Sequence, residues 1–87
     1  MGFSYELFLH CEAAACFHAL RRAEKEPLRR FLDALEEYPH LAGETTELDA
    51  VGRAVEVKAV GRLKVVYWTD HAMKEVKVLR IEHWQRG

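Results

Sequence analysis

Hydrophobic and polar positions in this 87-residue chain follow two periods, which predict strand, then helix, then strand again. Phe3, Tyr5, Leu7 and Leu9 share one face of a short alternating stretch, so a first strand is predicted over 3–9. Ala13, Cys16, Phe17, Leu20 and Ala23 then recur at helical spacing, and the alanine content favours a helix over 12–25. Pro27 suits the first turn of a second helix, where its missing N–H is not needed. Leu28, Phe31, Leu32, Leu35 and Tyr38 form that helix's apolar stripe, opposite Arg29, Arg30, Asp33, Glu36 and Glu37, and Pro39 ends it. The short connection predicts an antiparallel helical hairpin.

The stretch 39–52 contains Pro39, Gly43, Thr45, Thr46 and Gly52 without a strong period, and is either a functional loop or hides a short element. From Arg53 onward the period is two. Val55, Val57 and Ala59 alternate with Glu56, Lys58 and Val60. Gly61-Arg62 suits a tight turn, and Leu63, Val65 and Tyr67 then alternate with Lys64, Val66 and Trp68. A second turn at 70–73 leads into a long last strand over 74–84. The order β–α–α–β–β–β predicts an α+β fold of two layers, a helical hairpin packed on a mostly antiparallel sheet. The pattern leaves the first strand's place in the sheet open. Length and the lack of any repeat or linker fit one domain over 1–87.

Composition narrows the class. At 49% hydrophobic and 31% charged the chain is not generally disordered, and it has no apolar run of ~20 residues to span a membrane. The first residues lack the basic-then-apolar build of a secretion signal. Cys11 and Cys16, five apart, point to different faces of a helix, which predicts two small core residues rather than a disulfide, and a reducing, cytoplasmic setting. His10, His18, His40 and His71 lack ligand spacing, so no metal or cofactor is expected. Charge is uneven. Residues 1–49 hold five basic and ten acidic side chains, residues 50–87 eight and four, which excludes a uniformly basic nucleic-acid binder but allows a basic face in the second half.

If the helices cover Val55, Val57, Leu63, Val65 and Tyr67, the opposite face shows Glu56, Lys58, Lys64, Val66 and Trp68. The last strand is apolar in both phases. With Leu79 and Ile81 toward the helices, Val76, Val78, Arg80, Glu82 and Trp84 join the open face. Lys58, Lys64 and Arg80 then form a cationic cluster flanked by Trp68 and Trp84. Such a cluster suits a phosphate backbone with unstacked bases, or an apolar, acidic peptide laid over the sheet. The same residues also read as a solvated sheet surface.

The run Gly52-Arg53-Ala54-Val55-Glu56-Val57-Lys58, the run Gly61-Arg62-Leu63-Lys64-Val65-Val66-Tyr67-Trp68, and Asp70 with the apolar strand to Trp84 resemble the RelE/ParE superfamily of bacterial type II toxins. The resemblance covers nearly the whole chain in element order and the last third in residues. It implies a small antitoxin as partner and one of two activities: ribosome-dependent cleavage of mRNA, or poisoning of DNA gyrase without cleavage. It places Lys64 where the nuclease branch has a phosphate-binding arginine, and Lys58 near a basic position of the preceding strand. It likens His83-Trp84 to a His-Tyr terminus and Glu44 to an acting glutamate. Catalytic roles would then fall to His83, Lys64 and Glu44, and nucleic-acid or antitoxin binding to Lys58, Arg62, Lys64, Arg80, Trp68 and Trp84. Three departures weigh against cleavage. The indole of Trp84 cannot shuttle a proton, Lys64 lacks an arginine's fork, and a pI near 6.5 is low for a ribosome binder. In addition, the parity that exposes Arg80 turns His83 toward the helices unless the strand bulges first. The expectation is a gyrase-type or degenerate toxin, with a ribosome-dependent endoribonuclease as the alternative and a noncatalytic binding module as a third reading.

Overall fold

Two helices lie against one face of a five-stranded sheet in the computed structural model, which describes residues 5–39 and 43–84. The elements are β1 (Glu6–Leu9), α1 (Cys11–Ala19), α2 (Arg22–Glu37), β2 (Thr45–Leu48), β3 (Ala54–Val60), β4 (Leu63–Asp70) and β5 (Glu75–His83). The predicted α+β class and the meander of β3, β4 and β5 are present. The unassigned stretch hides β2, where the β-branched pair Thr45-Thr46 favours an extended backbone. Sheet order is β1-β5-β4-β3-β2; β1 runs parallel to β5 at one edge, and β2 pairs antiparallel with β3 at the other. Phe3 lies outside the described residues.

The helix boundaries differ from the pattern. The first helix stops at Ala19, because Leu20 and Arg21 turn extended (ψ 151° and 155°) with Leu20 buried in the core. The second begins at Arg22 and runs through Pro27, which is therefore not in its first turn. Pro27 gives no N–H to the carbonyl of Ala23, but Ala23 is exposed and so not on the apolar face. Neither glycine nor proline marks the break at 20–21, so the periodicity ran on across it.

Leu28, Leu32 and Leu35 of α2 and Ala13 of α1 pack on Leu63, Val65, Tyr67, Val76, Val78 and Ile81. Phe31 meets the Tyr67 ring edge-on at 5.7 Å. Tyr38, expected on the stripe, caps α2 and is exposed. Cys16 packs at the edge of this core, where burial raises its thiol pKa, whereas Cys11 is exposed rather than a core residue; neither forms a disulfide. Among the described residues no helix is long and apolar enough to cross a membrane.

Turns hold the meander in register. Gly61 has φ +60° while Arg62 keeps a negative φ, the pattern of a two-residue II′ hairpin between Val60 and Leu63. Gly43 lies against the backbone of β3, where a Cβ would stand 2.5 Å from the Val57 carbonyl oxygen.

Leu28→Ala is expected to lower stability by ~2–5 kcal/mol in urea unfolding, whereas Tyr38→Ala should change it by less than ~0.5 kcal/mol. Equal effects of the two would contradict this packing.

Candidate functional site

The face of the sheet away from the helices carries its own apolar cluster. Val55, Val57 and Val66 are buried there, with Trp68 and Leu79 packed against them. This corrects the expected parity of β3. Register pairs Val57 with Val66 on this face, and Lys58 with Val65 and Glu56 with Tyr67 on the helix side. Alternation shows which residues share a face but not which face the helices cover, and an apolar pair such as Val55 and Val57 invited the wrong choice.

The last strand resolves differently as well. Val66 pairs with Arg80 and Tyr67 with Val78, so Leu79 is an extra residue in β5. This bulge turns Val76, Val78 and Ile81 to the helices while Leu79 and Arg80 both take the open face. Leu79, Val76 and Val78 therefore occupy faces opposite to those expected, and Arg80 the expected one.

Lys64 and Arg80 meet on the open face through Glu47 of β2. The Lys64 Nζ lies 2.7 Å from Glu47 Oε2 and the Arg80 Nη2 3.2 Å from Oε1, so one carboxylate divides its oxygens between two cations. The hydrogen bond from Lys64, with a smaller contribution from Arg80, holds the Glu47 carboxyl below its usual pKa of 4.5. Trp84, at the end of β5, is about half exposed and sits beside Lys64, whose Nζ is 5.6 Å from the ring centroid. Beside Arg80 a groove of about 300 Å³ is lined by Leu48, Asp49, Ala50, Val55, Val66, Leu79 and Arg80.

Further along the face, Arg53 stands over Trp68 at 4.1 Å and Lys77 at 5.1 Å. The Asp49 turn positions Arg53. One carboxylate oxygen accepts the N–H groups of Val51 (3.0 Å) and Arg53 (2.8 Å), and the other meets the Arg53 guanidinium at 2.8 Å. Gly52, at φ +81°, lets the chain close this turn. Trp68 is thus covered by Arg53 and Lys77, whereas Lys58, expected beside it, lies on the other side of the sheet.

The expected catalytic group does not assemble. His83 pairs with Leu63 on the helix side, and its Nε2 bonds Glu24 of α2 at 2.9 Å, which lowers the Glu24 pKa. The Glu44 carboxylate accepts the Ala59 N–H at 2.7 Å and so continues the ladder between β2 and β3. Lys64 is on the open face with Glu47, and Lys58 on the other side of the sheet. Arg62 is exposed in the β3–β4 turn, where its carbonyl accepts the Trp84 N–H at 2.9 Å. Burial pushes the Tyr67 hydroxyl pKa up to about 12, so this tyrosine of the family-like run is a protonated core residue at neutral pH. Glu47, Arg53 and Lys77 were missed. Their sequence signals were weak: a β-branched pair before Glu47, and an Asp-to-Gly turn before Arg53. Among the described residues no group of His, Cys, Asp or Glu is placed to hold a metal ion.

Solved structures share this fold. A chain of the archaeal RelE–RelB complex from Pyrococcus horikoshii superposes with a TM-score of 0.78 at 18% identity, covering 98% of this chain and 100% of its own. The isolated Escherichia coli RelE toxin gives 0.78 at 19% identity, covering 97% of this chain and 88% of its own. A chain of the RelBE2 toxin–antitoxin complex from Mycobacterium tuberculosis gives 0.74 at 18%, covering 93% and 99%. The chain has the RelE fold. No family model matches its sequence, and no curated protein matches it.

Because the Glu47 pKa is lowered on folding, its pairing stabilises the fold above about pH 4.5 and that contribution is lost as pH falls through the lower folded value. Carboxyl NMR titration should find Glu47 below 4.5, and Lys64→Gln should return it toward that value. A Glu47 that titrates at 4.5 in the intact protein would contradict the contact.

Proposed function

We propose that this chain is the toxin of a type II toxin–antitoxin pair, acting in the cytoplasm by occupying a target through the open face of its sheet rather than by cutting RNA. The RelE fold over 98% of the chain supports the toxin reading. One observation carries the choice of mechanism: His83 is bound to Glu24 on the helix side, while Lys64 and Arg80 are on the open face. Cleavage of RNA by its own 2′-hydroxyl needs a proton acceptor and a phosphate-stabilising cation at the same bond. Here the imidazole lies on the helix side, and Lys64 and Arg80 lie on the opposite face of the sheet. Exposed Leu48 and half-buried Leu79 line the groove beside Arg80 over buried Val55 and Val66, an apolar character that suits protein contact. A small antitoxin is the partner that silences it, and a gyrase-type protein target fits the noncleaving reading.

Ribosome-dependent mRNA cleavage remains the second reading, favoured by the placing of Trp84 beside Lys64 within reach of a base and a phosphate.

Induced expression should arrest growth with mRNA intact by primer extension. Lys64→Ala combined with Arg80→Ala should abolish the arrest, and His83→Ala should leave it. Codon-linked mRNA cuts that vanish in His83→Ala would transfer the assignment to the nuclease reading. A folded wild-type chain that leaves growth untouched would remove the toxin reading.

A further inference from the structure

Among the described residues β1 and β2 are the two edges of the sheet, and they differ in character. β2 shows Thr45, Thr46, Glu47 and Leu48, whereas β1 shows a single charge, Glu6, with Leu7, Phe8 and Leu9. Lysine, proline and bulges are the usual guards against pairing at an edge, and β1 has none of them. The N–H groups of Glu6 and His10 donate inward to the Lys74 and Val78 carbonyls, at 3.0 and 2.9 Å. Backbone groups of successive residues point to alternate sides of a strand, so Leu7 and Leu9 turn their N–H and C=O groups outward. The Tyr5 hydroxyl, 2.9 Å from His71 Nδ1, ties down the start of the strand, so the edge is preformed. Phe8 pairs with Lys77 on the open face and is 44% exposed, beside a depression of about 280 Å³ lined by Phe8, Leu9, His10, Glu75 and Lys77. Leu7 and Leu9 face the helix side but stay half-buried, while Val76 and Val78 of the next strand are fully buried, so the helices leave this edge partly uncovered.

One register makes the edge complementary to itself. About a twofold axis through Phe8, antiparallel pairing sets Phe8 against Phe8, Leu7 against Leu9 and Glu6 against His10. Leu7 and Leu9 of the two copies then exchange their outward N–H and C=O groups, and the two Phe8 rings meet at the closer, non-hydrogen-bonded pair, each next to the other copy's depression. Centring on Leu7 instead sets Glu6 against Phe8 and loses the match of carboxylate with imidazole. We infer that β1 is a self-association edge, through which two copies of this chain pair antiparallel about Phe8 and join their sheets into one. A twofold axis normal to the sheet keeps both helical layers on one side, so both open faces, each with its Lys64 and Arg80, point the same way. The strand is short, so the dimer is weak and concentration-dependent rather than obligate.

Sedimentation of the full chain over rising concentration should show a growing dimer fraction, with amide exchange slowed at Leu7 and Leu9 as the dimer forms. Phe8→Glu should remove the dimer. Glu6→Lys should weaken it severalfold, and adding His10→Glu to Glu6→Lys should recover it. In a Cys11→Ser background, Phe8→Cys should give an intermolecular disulfide on oxidation, because Cα atoms at such a pair lie about 4.5 Å apart; Glu6→Cys should not. Thermal melts identify variants that fail to fold, and the Glu6–His10 exchange carries the test should Phe8→Glu be one of them. A monomer at every concentration would overturn the proposal, as would a dimer that survives Phe8→Glu or a crosslink through Leu7→Cys in place of Phe8→Cys. A monomer whose Leu7 and Leu9 amides are protected only by a blocked peptide of alternating valine and threonine would assign the edge to a foreign strand, and likewise overturn it.

Discussion

One extra residue in the last strand decides what each face of the sheet presents. Without the bulge at Leu79, strict alternation would carry Val76, Val78 and Arg80 to one side and Leu79 and Ile81 to the other. Arg80 would then share the helix-facing core with two valines, an expensive place for a guanidinium. The bulge shifts the phase once. Val76, Val78 and Ile81 complete the core under the helices, and Leu79 and Arg80 emerge together on the open face. The two apolar clusters and the cationic pair all follow from that phase change.

The uneven charge along the chain also finds its explanation in the fold. Acidic side chains of the first half meet cations or histidine of the second: Glu47 with Lys64 and Arg80, and Glu24 with His83. These pairs are open to solvent, and pairs of this kind contribute little to stability. They do not hold the fold together, which burial of Leu28, Leu35, Val65 and Tyr67 does. Their effect is on the electrostatics of each face. Glu47 neutralises part of the open face, and Glu24 keeps the His83 ring on the helix side.

Much of the architecture was legible because it rests on local rules. A period of two with turn residues at Gly61 and Asp70 marks strands and hairpins, and the stripe of Leu28, Leu32 and Leu35 marks a helix that must be covered. Helix boundaries were less legible, since the break at Leu20 and Arg21 uses ordinary residues in extended backbone. The short β2 has four residues and gains its hydrogen bonds from β3, so its own sequence carries little signal.

The amino-acid sequence by itself determined the α+β class, the two helices, the three strands of the meander and which residues share a face within β3 and within β4, because periodicity is a property of neighbours along the chain. It also supplied Lys64 and Arg80 as cations of interest. Only the tertiary structure decided that Lys58 and Lys64 point to opposite sides, that Val55 and Val57 floor the open face, and that His83 turns to Glu24. Those outcomes depend on register between strands, on one bulge and on where two short helices come to rest. Each is settled by contacts between residues far apart in the chain, which local alternation does not encode.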